Sequence, residues 1–510
     1  MGRADSVMTA TMFEILAVQA DRGRTFVQAA EGTTWSYADA HRRALGYAAA
    51  LKGLGVAPGD RVAVQVEKSV EVLLLHFGCL AAGAVYLPLN TAYTDAEVAY
   101  FLEDAEPALV VCRPSAREGL EPVARNAGVR HLETLDADGT GSIAALADAS
   151  PAAAGPVERR QGDLAAILYT SGTTGRAKGA MLSHGNLTAN AEALAEVWRF
   201  TPEDVLLHAL PIFHTHGLFV ATNTCVMAGA SMILLPRFEV PEVLRRLPEA
   251  SVLMGVPTYY ARLLQAEGLT RDRVRHVRLF VSGSAPLSAE LHREFEARTG
   301  HAILERYGMT ETGMITSNPY DGPRRAGTVG LPLPGVEVRI AEPATGAPLP
   351  AGEVGVVEVR GPNVFKGYWR QPEKTAAEFR ADGFFISGDL GRIDEQGYLE
   401  LVGRDKDLII SGGLNVYPAE VEAALDALPE VFESAVIGVP HQDFGEAVTA
   451  VVVLRPGRQL TEADVRTRLV GELAGYKVPK RVLFADELPR NAMGKIQKTT
   501  LREDHRHIFS

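Results

Sequence analysis

The residues best suited to chemistry stand in one short segment, YTSGTTGRAKG, at positions 169–179. Its glycines let backbone N–H groups approach a ligand closely, its hydroxyls donate further hydrogen bonds, and Arg176 and Lys178 carry positive charge. Such a loop can wrap a polyphosphate. It is not a Walker A loop, because GxxxxGK[ST] is absent and an apolar run follows Gly179 where a helix would have to begin.

Two further segments carry polar side chains of chemical interest. His214 and His216, with His208 nearby, lack a cysteine or an acidic third ligand, so no metal site is predicted there. Arg306 stands at the end of a predicted strand, where its guanidinium can grip a carboxylate through two parallel hydrogen bonds. The alternative is a structural pair between Arg306 and Glu305 or another acid.

The elements that must position these residues are βα units packed in layers. Apolar runs predict strands at 165–170, 251–256, 277–281 and 302–307, and a helix at 288–299 with Ser288 as its cap. Three of these strands lead into small-residue loops, SGTTG, SGSAP and GMTE. Because ligands in open α/β sheets bind beyond the carboxyl ends of the strands, the three loops predict one shared cleft.

Past residue 320 the sequence changes to Gly/Pro turns and short β runs, including a hairpin-like IDEQGYLELVG. A helix at 418–428, strands at 431–439 and 447–454, and a helix at 461–473 then predict a small α+β unit. The predicted fold class is α/β, with a large N-terminal layered α/β domain (1–403) that has a β-rich portion, and a small α+β C-terminal domain (404–510). The alanine-rich stretch 143–155 is expected to be a loose surface connection.

The overall composition limits the class of protein. A chain of 510 residues is too long for one ordinary core, and 63 acidic against 51 basic residues argue against nucleic acid or an anionic membrane as the main partner. Cys79, Cys112 and Cys225 lie far apart, which suits a reducing cytoplasm. The N-terminus lacks the features of a signal peptide, and the apolar stretch 217–236 is interrupted by polar residues, so we expect a buried segment and no membrane span.

The segment at 169–179 resembles the phosphate-loop signature of the adenylate-forming family of acyl-CoA synthetases, luciferases and peptide-synthetase adenylation domains. Further family motifs follow in the family's order: HTHG (214–217), ERYGMTE (305–311), GDL (388–390), VGRDKDLIISGG (402–413) and LPRNAMGK (488–495). The resemblance covers essentially the whole chain. In detail the sequence is most similar to the malonate-activating branch, through QVEKSVE (65–71), YLPLNTAYT (86–94), ALPIFHTHGLFVA (209–221) and SGSAPL (282–287).

This resemblance implies that malonate, and also methylmalonate, is activated as an acyl-adenylate and transferred to coenzyme A, with release of AMP and pyrophosphate. ATP and coenzyme A are the co-substrates, Mg²⁺ is the cofactor, and we expect a monomer or weak homo-oligomer in the cytoplasm. A CoA ligase for another short-chain or aromatic acid is the alternative. Amino-acid-activating domains place an Asp after the Phe of the HTHG region, whereas His214 follows Phe213 here. A nucleotide-binding regulatory protein without catalysis is also disfavoured, because the expected catalytic residues are present.

The resemblance also assigns roles by position. The ATP-binding residues are Thr170, Ser171, Gly172, Thr173, Thr174, Gly175, Lys178, Glu305, Tyr307, Thr310, Asp389 and Arg404. The catalytic residues are Lys495, His214 and Glu311, and Glu311 is also the metal ligand. The residues for the acyl substrate are Arg306, Ser284, Arg262 and Met309. The resemblance further implies that the C-terminal domain (404–510) is mobile, with Lys406 as the hinge residue, and that Gly412 and Gly413 line the CoA channel. Lys495 would stabilise the charge that develops between the reacting carboxylate and the α-phosphate.

Overall fold

The fold was analysed in a computed structural model, in which residues 10–150, 155–170, 177–412, 414–470, 472–491 and 494–509 are described. The strands in these ranges, numbered along the chain, are β1 Thr25–Ala29, β2 Thr34–Ser36, β3 Arg61–Gln65, β4 Val85–Pro88, β5 Leu109–Cys112, β6 His131–Thr134, β7 Leu164–Thr170, β8 Lys178–Ser183, β9 Val205–His208, β10 Ser231–Leu234, β11 Val252–Gly255, β12 Leu279–Ser282, β13 Leu304–Met309, β14 Gly313–Ser317, β15 Leu331–Pro332, β16 Glu337–Ala341, β17 Gly355–Arg360, β18 Phe385–Ile393, β19 Leu399–Arg404, β20 Ile409–Ser411, β21 Leu414–Val416, β22 Val431–His441, β23 Gly445–Leu454 and β24 Arg481–Phe484.

The helices cover the faces and edges of the sheets. The α-helices are Met12–Ala20, Tyr37–Gly53, Val70–Ala82, Asp95–Ala105, Arg117–Asn126, Ser142–Ala149, His184–Val197, Asn223–Ala228, Val240–Arg246, Pro257–Leu264, Arg271–Val274, Ala289–Thr299, Pro372–Ala377, Pro418–Asp426, Glu462–Leu469 and Lys498–His505. Short 3₁₀-helices span Pro114–Ala116, Leu247–Glu249 and Asp405–Asp407, and a π-helix spans His216–Thr222.

Two large sheets form the N-terminal part. The first has the order β6-β5-β3-β4-β7-β8 and is parallel except for the β7–β8 pair. The second has the order β15-β14-β13-β12-β11-β9-β10-β1-β2, with a parallel centre and antiparallel edges. An antiparallel sheet β16-β17-β18-β19 is the β-rich portion, and its last hairpin contains the predicted IDEQGYLELVG turn.

One apolar core lies between the two large sheets. The helix Val70–Ala82 is part of this core. Its sequence, VEVLLLHFGCLAA, is apolar around almost its whole circumference, which is the pattern of a helix buried on all sides. Ser69 caps its first turn, and Gly83 ends it with a φ of 71°. Leu75 and Phe77 are fully buried, and each contributes roughly 1.5–3 kcal/mol of hydrophobic free energy.

The C-terminal part has its own sheet, β21-β20-β23-β22, with β24 parallel to β23. The predicted helices and strands are confirmed, although the helices are shorter than predicted, Pro418–Asp426 and Glu462–Leu469, and the strands are longer, Val431–His441 and Gly445–Leu454. This part contributes separate apolar clusters on the two faces of its sheet.

The prediction of a loose connection at 143–155 is wrong for its first half. Residues Ser142–Ala149 form a helix whose Ile143 and Ala147 are buried. The helix packs closely on Tyr37–Gly53, because a Cβ atom at Gly46 would lie 3.1 Å from the carbonyl oxygen of Ala147. Positions 151–154 lie outside the described residues. The small side chains that suggested a loose segment are what allows the two helices to approach.

The stretch 217–236 is buried, as predicted. It forms most of the π-helix, the helix Asn223–Ala228 and strand β10. Among the described helices, none combines the length and the apolar character that a membrane crossing requires.

Candidate active site

The two large sheets meet where β7 and β13 end. β7 ends at Thr170, and its hydroxyl lies 3.5 Å from Oε1 of Glu311, in the turn after β13. Half-buried Thr310 lies in the same turn. The predicted phosphate-loop residues Ser171, Gly172, Thr173, Thr174 and Gly175 lie outside the described residues. The ends of β7 and β13, which precede the SGTTG and GMTE loops, are therefore adjacent, although the two strands belong to different sheets. We call the space beside these two strand ends the cleft.

Lys178 is nearly buried at the far flank of the phosphate loop. Its ammonium lies 3.2 Å from Oε1 of Glu378 and 4.3 Å from the centre of the Tyr368 ring. The Tyr368 hydroxyl lies 2.6 Å from Glu378 and 3.1 Å from Glu311. Since a phenol has one hydrogen to donate, it can satisfy one of these two carboxylates at a time. Burial raises the pKa of Glu311 above its usual range.

Asp389 joins two of the predicted ATP-binding residues. Its Oδ2 accepts a hydrogen bond from the Tyr307 hydroxyl, and its Oδ1 lies 2.7 Å from Nε of Arg404. The Asp389 carboxylate raises the pKa of Arg404, which stays charged. Each carboxylate oxygen can accept a further bond, so the pair is compatible with a vicinal diol such as a ribose.

The segment 208–217, called the histidine segment below, lies against the same cleft. The backbone N–H of His216 donates to Nδ1 of His214 (3.3 Å), and Nδ1 of His216 lies 3.2 Å from the Ser284 hydroxyl. Burial, together with the charges of Arg306 and Lys495, lowers the pKa of His214 to about 4. Burial also lowers the pKa of His216 well below its usual range. Both rings are therefore neutral at pH 7.

A series of hydrogen bonds that begins at Lys68, on the side of the other large sheet, holds the histidine segment in place. Lys68, which follows β3, donates from Nζ to the carbonyl oxygen (2.8 Å) and to Nδ1 (3.0 Å) of His208. With Nδ1 accepting, Nε2 of His208 carries the hydrogen and donates to the carbonyl oxygen of Gly217 (2.9 Å). Gly217 is the second residue of the π-helix His216–Thr222, and π-helical turns are frequent at functional sites.

Arg306 is almost fully buried at 2% exposure, beside the histidine segment. Its Nε and Nη2 have no hydrogen-bond partner, and no carboxylate pairs with it in the part of the chain that the structure describes. Burial lowers the pKa of Arg306 to about 9 and raises that of Glu305 to about 8, and Oε1 of Glu305 accepts from the backbone N–H of Leu287 (3.1 Å). The alternative of a structural ion pair between Arg306 and Glu305 is therefore not what the structure shows.

The other residues predicted for the acyl substrate divide into two groups. The Ser284 hydroxyl contacts His216, and His216 interacts in turn with Arg306. Ser284 also has a φ of 70°, a conformation that is uncommon for a non-glycine residue and that occurs often at functional sites. Met309, at the end of β13, is half-buried against the main core. Arg262 is solvent-exposed and lies over the Phe238 ring at 5.2 Å, and no described contact brings it to Arg306.

Lys495 reaches this cleft from the C-terminal part. The neighbouring Gly494 is so close to the helix Pro257–Leu264 that a Cβ atom there would lie 3.1 Å from the Thr258 hydroxyl. The Lys495 side chain is accessible to water. Its pKa is nevertheless lowered to about 8, mainly because the surrounding protein removes part of its hydration and secondly because Arg404 carries the same charge. Its charge also acts on His214.

The remaining predicted residues lie on the C-terminal side of the cleft. Lys406 is exposed in the 3₁₀-helix Asp405–Asp407, directly after β19. Gly412 has a φ of 61°, and its N–H donates to the carbonyl oxygen of Phe444 (2.8 Å). Gly413 lies outside the described residues.

Sequence reasoning missed four residues of this site: Lys68, His216, Tyr368 and Glu378. His216 belongs to the HTHG motif, but sequence reasoning treated it only as a possible metal ligand.

Among the described residues no group of His, Cys, Asp and Glu side chains forms a metal cluster by itself. No local pattern pointed to Tyr368 and Glu378, since their partner Lys178 stands about 200 positions earlier.

Comparisons with known proteins identify relatives over most of the chain. The family model of AMP-binding enzymes matches residues 16–369, and the model of the AMP-binding enzyme C-terminal domain matches residues 420–495. A malonate–CoA ligase from Arabidopsis thaliana is 35% identical over 89% of this chain and 79% of its own length. A feruloyl-CoA synthase from an Amycolatopsis species is 38% identical over 92% of this chain and 94% of its own length.

Solved structures show the same relationship. The crystal structure of ATP-bound MatB from Rhodopseudomonas palustris has a TM-score of 0.96 and 56% identity, and the match covers 98% of this chain and 100% of MatB. The apo form of MatB has a TM-score of 0.86 at the same identity and coverage. The structure as a whole is thus more similar to the ATP-bound form. The chain belongs to the AMP-binding enzyme family, the AMP-forming acyl-CoA synthetases and their relatives.

Proposed function

We propose that this enzyme ligates malonate to coenzyme A at the expense of ATP, through a malonyl-adenylate. The observation that carries the choice of acid is Arg306, a buried cation without an acidic partner among the described residues. Malonate is a dianion at neutral pH, so one carboxylate can react while Arg306 holds the other. An acid with one carboxylate would leave the buried guanidinium unpaired, which is energetically costly.

In the first half-reaction an oxygen of the acid carboxylate attacks the α-phosphorus of ATP, and pyrophosphate leaves. Lys495 is placed to stabilise the negative charge that develops between the two reactants. Lys178 and the phosphate loop hold the β- and γ-phosphates, and Asp389 with Arg404 holds the ribose. Neutral His214 orients the reacting carboxylate without adding a charge that would compete with Lys495.

Glu311 fits the role of magnesium ligand. It offers buried carboxylate oxygens beside the Thr170 hydroxyl, at the edge of the phosphate loop, and hard oxygen donors are those that Mg²⁺ prefers. A single protein carboxylate is sufficient when the phosphates supply further ligands. When bound, the ion would neutralise phosphate charge.

In the second half-reaction the coenzyme A thiol attacks the acyl carbonyl, and AMP leaves. We propose that residues 404–510 rotate as the mobile domain relative to residues 1–403, with Lys406 at the hinge. Rotation withdraws Lys495 and brings the face with Gly412 and Gly413 to the thiol channel. The exposed apolar side chain of Phe444, whose carbonyl oxygen accepts from the N–H of Gly412, supports a docking role for this region.

Methylmalonate is included in the proposal, since one added methyl group in an apolar corner changes binding by only about 1–3 kcal/mol. The feruloyl-CoA synthase relative keeps an aromatic acid as the second candidate. A cytoplasmic location and a monomeric or weakly oligomeric state complete the proposal.

The test is pyrophosphate release by the purified enzyme with ATP, Mg²⁺ and coenzyme A across malonate, methylmalonate, acetate, benzoate and ferulate. We expect the highest kcat/KM with malonate and the appearance of malonyl-CoA by mass spectrometry. If acetate, benzoate or ferulate is the better substrate, the assignment of malonate is wrong, although the enzyme class stands.

A further inference from the structure

The parallel ladder between β12 and β13 ends directly beside Arg306. The two strands pair up to Ser282 and Glu305. One residue further along β13, Arg306 pairs with Ser317 of β14, which lies along the other edge of β13. Gly283 therefore lies next to Arg306 at the point where the two strands separate.

The guanidinium of Arg306 occupies the volume that a side chain at Gly283 would need. A Cβ atom built on Gly283 would lie 2.4 Å from Cζ, 2.5 Å from Nη1 and 2.6 Å from Nε of Arg306. Real Cβ atoms essentially never approach other atoms within 3.0 Å. Gly283 does not have a positive φ, so its backbone conformation is open to any residue. The contact with Arg306, and not the backbone, is what requires glycine.

Two buried side chains that interact electrostatically with Arg306 are held by hydrogen bonds. The hydroxyl of Tyr260 donates to the carbonyl oxygen of Val281 (2.6 Å). Nδ1 of His216 lies 3.2 Å from the Ser284 hydroxyl. Nε and Nη2 of the Arg306 guanidinium are left without protein partners among the described residues.

We propose that Gly283 determines the specificity of the acid pocket, because its missing side chain provides the space in which Arg306 must lie to bind the second carboxylate of a dicarboxylic acid. This inference rests on the proposed function and deepens it. A methyl group at this position displaces the guanidinium, which is the far end of a flexible side chain, and leaves the backbone in place. The pocket then loses its preference for a dicarboxylate over a monocarboxylate of the same chain length.

The test compares Gly283→Ala with the wild-type enzyme on malonate and on propionate, which has a methyl group in place of the second carboxylate. We expect the KM for malonate to rise about tenfold or more, as for the loss of one charged hydrogen bond, and the malonate-to-propionate ratio of kcat/KM to fall by a similar factor. The KM for ATP should stay within about twofold. Gly268→Ala is the matched control, since its Cβ would also meet an arginine, Nη1 of Arg273 at 3.1 Å, but outside the cleft.

A double variant shows whether Gly283 acts through Arg306. In an Arg306→Ala background, Gly283→Ala should change malonate kinetics by less than about twofold, since the displaced group is already gone. Equal effects in both backgrounds, or unchanged malonate kinetics in Gly283→Ala alone, would overturn the inference while the proposed function stands. A wild-type enzyme that does not use malonate would overturn both.

Folding is monitored by thermal unfolding of each variant. If Gly283→Ala does not fold, the double variant with Arg306→Ala should restore folding, because the clash is removed with the atoms of Arg306 beyond Cβ. A double variant that also fails to fold would show that Gly283 has another structural role, and the inference would be wrong.

Discussion

Replacing Arg306 with methionine is expected to make the protein more stable and less active at the same time. Methionine has a similar length but no charge and no hydrogen-bond donors. In the folded protein Arg306 is 2% exposed and has no acidic partner in the described ranges. Holding a cation in such a place costs several kcal/mol, a cost that the lowering of its pKa to about 9 reflects.

The two effects have different magnitudes and opposite signs. Removal of the uncompensated charge should raise the free energy of unfolding of the unliganded enzyme by about 1–3 kcal/mol. Two donors, Nε and Nη2, are free to bind the second carboxylate. Charged hydrogen bonds contribute about 1.5–3 kcal/mol each and are not additive, so we expect a loss of about 3 kcal/mol, or roughly 150-fold in kcat/KM for malonate. The KM for ATP should change by less than about twofold.

The assay combines thermal unfolding without ligand and pyrophosphate release with varied malonate and varied ATP. Arg306→Lys is the control, since it keeps the charge but loses the planar fork, and it should retain more malonate activity than Arg306→Met without the gain in stability. A lower melting temperature for Arg306→Met together with an unchanged KM for malonate would refute the reasoning, because Arg306 would then be structural.

Three further results are expected. Lys495→Ala should lower malonate-dependent pyrophosphate release about 100-fold or more, while thioester formation from supplied malonyl-adenylate persists; equal loss of both steps would contradict the role of Lys495. The ammonium form of Lys495 is present below its pKa of about 8 and is lost as the pH rises through that value, so the adenylation rate should fall above about pH 8. Lys495→Arg should lack this falling limb, and a limb that persists in the variant belongs to another group. Glu311→Gln should raise the Mg²⁺ concentration for half-maximal activity about tenfold with an unchanged KM for malonate, and an unchanged Mg²⁺ requirement would remove Glu311 as the ligand.

Local patterns were sufficient to predict most elements around the site. The strand predicted at 165–170 corresponds to Leu164–Thr170, because apolar residues bounded by a glycine-rich loop leave little choice of structure. The helix predicted at 288–299 was found at Ala289–Thr299, where Ser288 accepts from the N–H of Leu291 and Gly300 ends the helix with a φ of 80°.

Long-range pairing was outside the reach of such patterns. The strands before SGTTG and before SGSAP are both short apolar runs that lead into small-residue loops. However, β7 belongs to one sheet and β12 to the other. The ion pair between Lys178 and Glu378 and the missing partner of Arg306 likewise depend on contacts between distant segments. The role of Gly283 followed only from the position of a neighbouring guanidinium. The role that the family resemblance assigns to Arg262 stays a prediction, because no described contact brings this residue to Arg306.

The chain of hydrogen bonds from Lys68 through His208 to Gly217 has a consequence for the order of folding. Lys68 follows β3 of one large sheet, and His208 ends β9 of the other, 140 positions further along the chain. Closing a loop of this length has an entropic cost that favours local contacts first. We therefore expect the acid pocket to be among the last parts of the N-terminal region to assemble, after the two large sheets have docked.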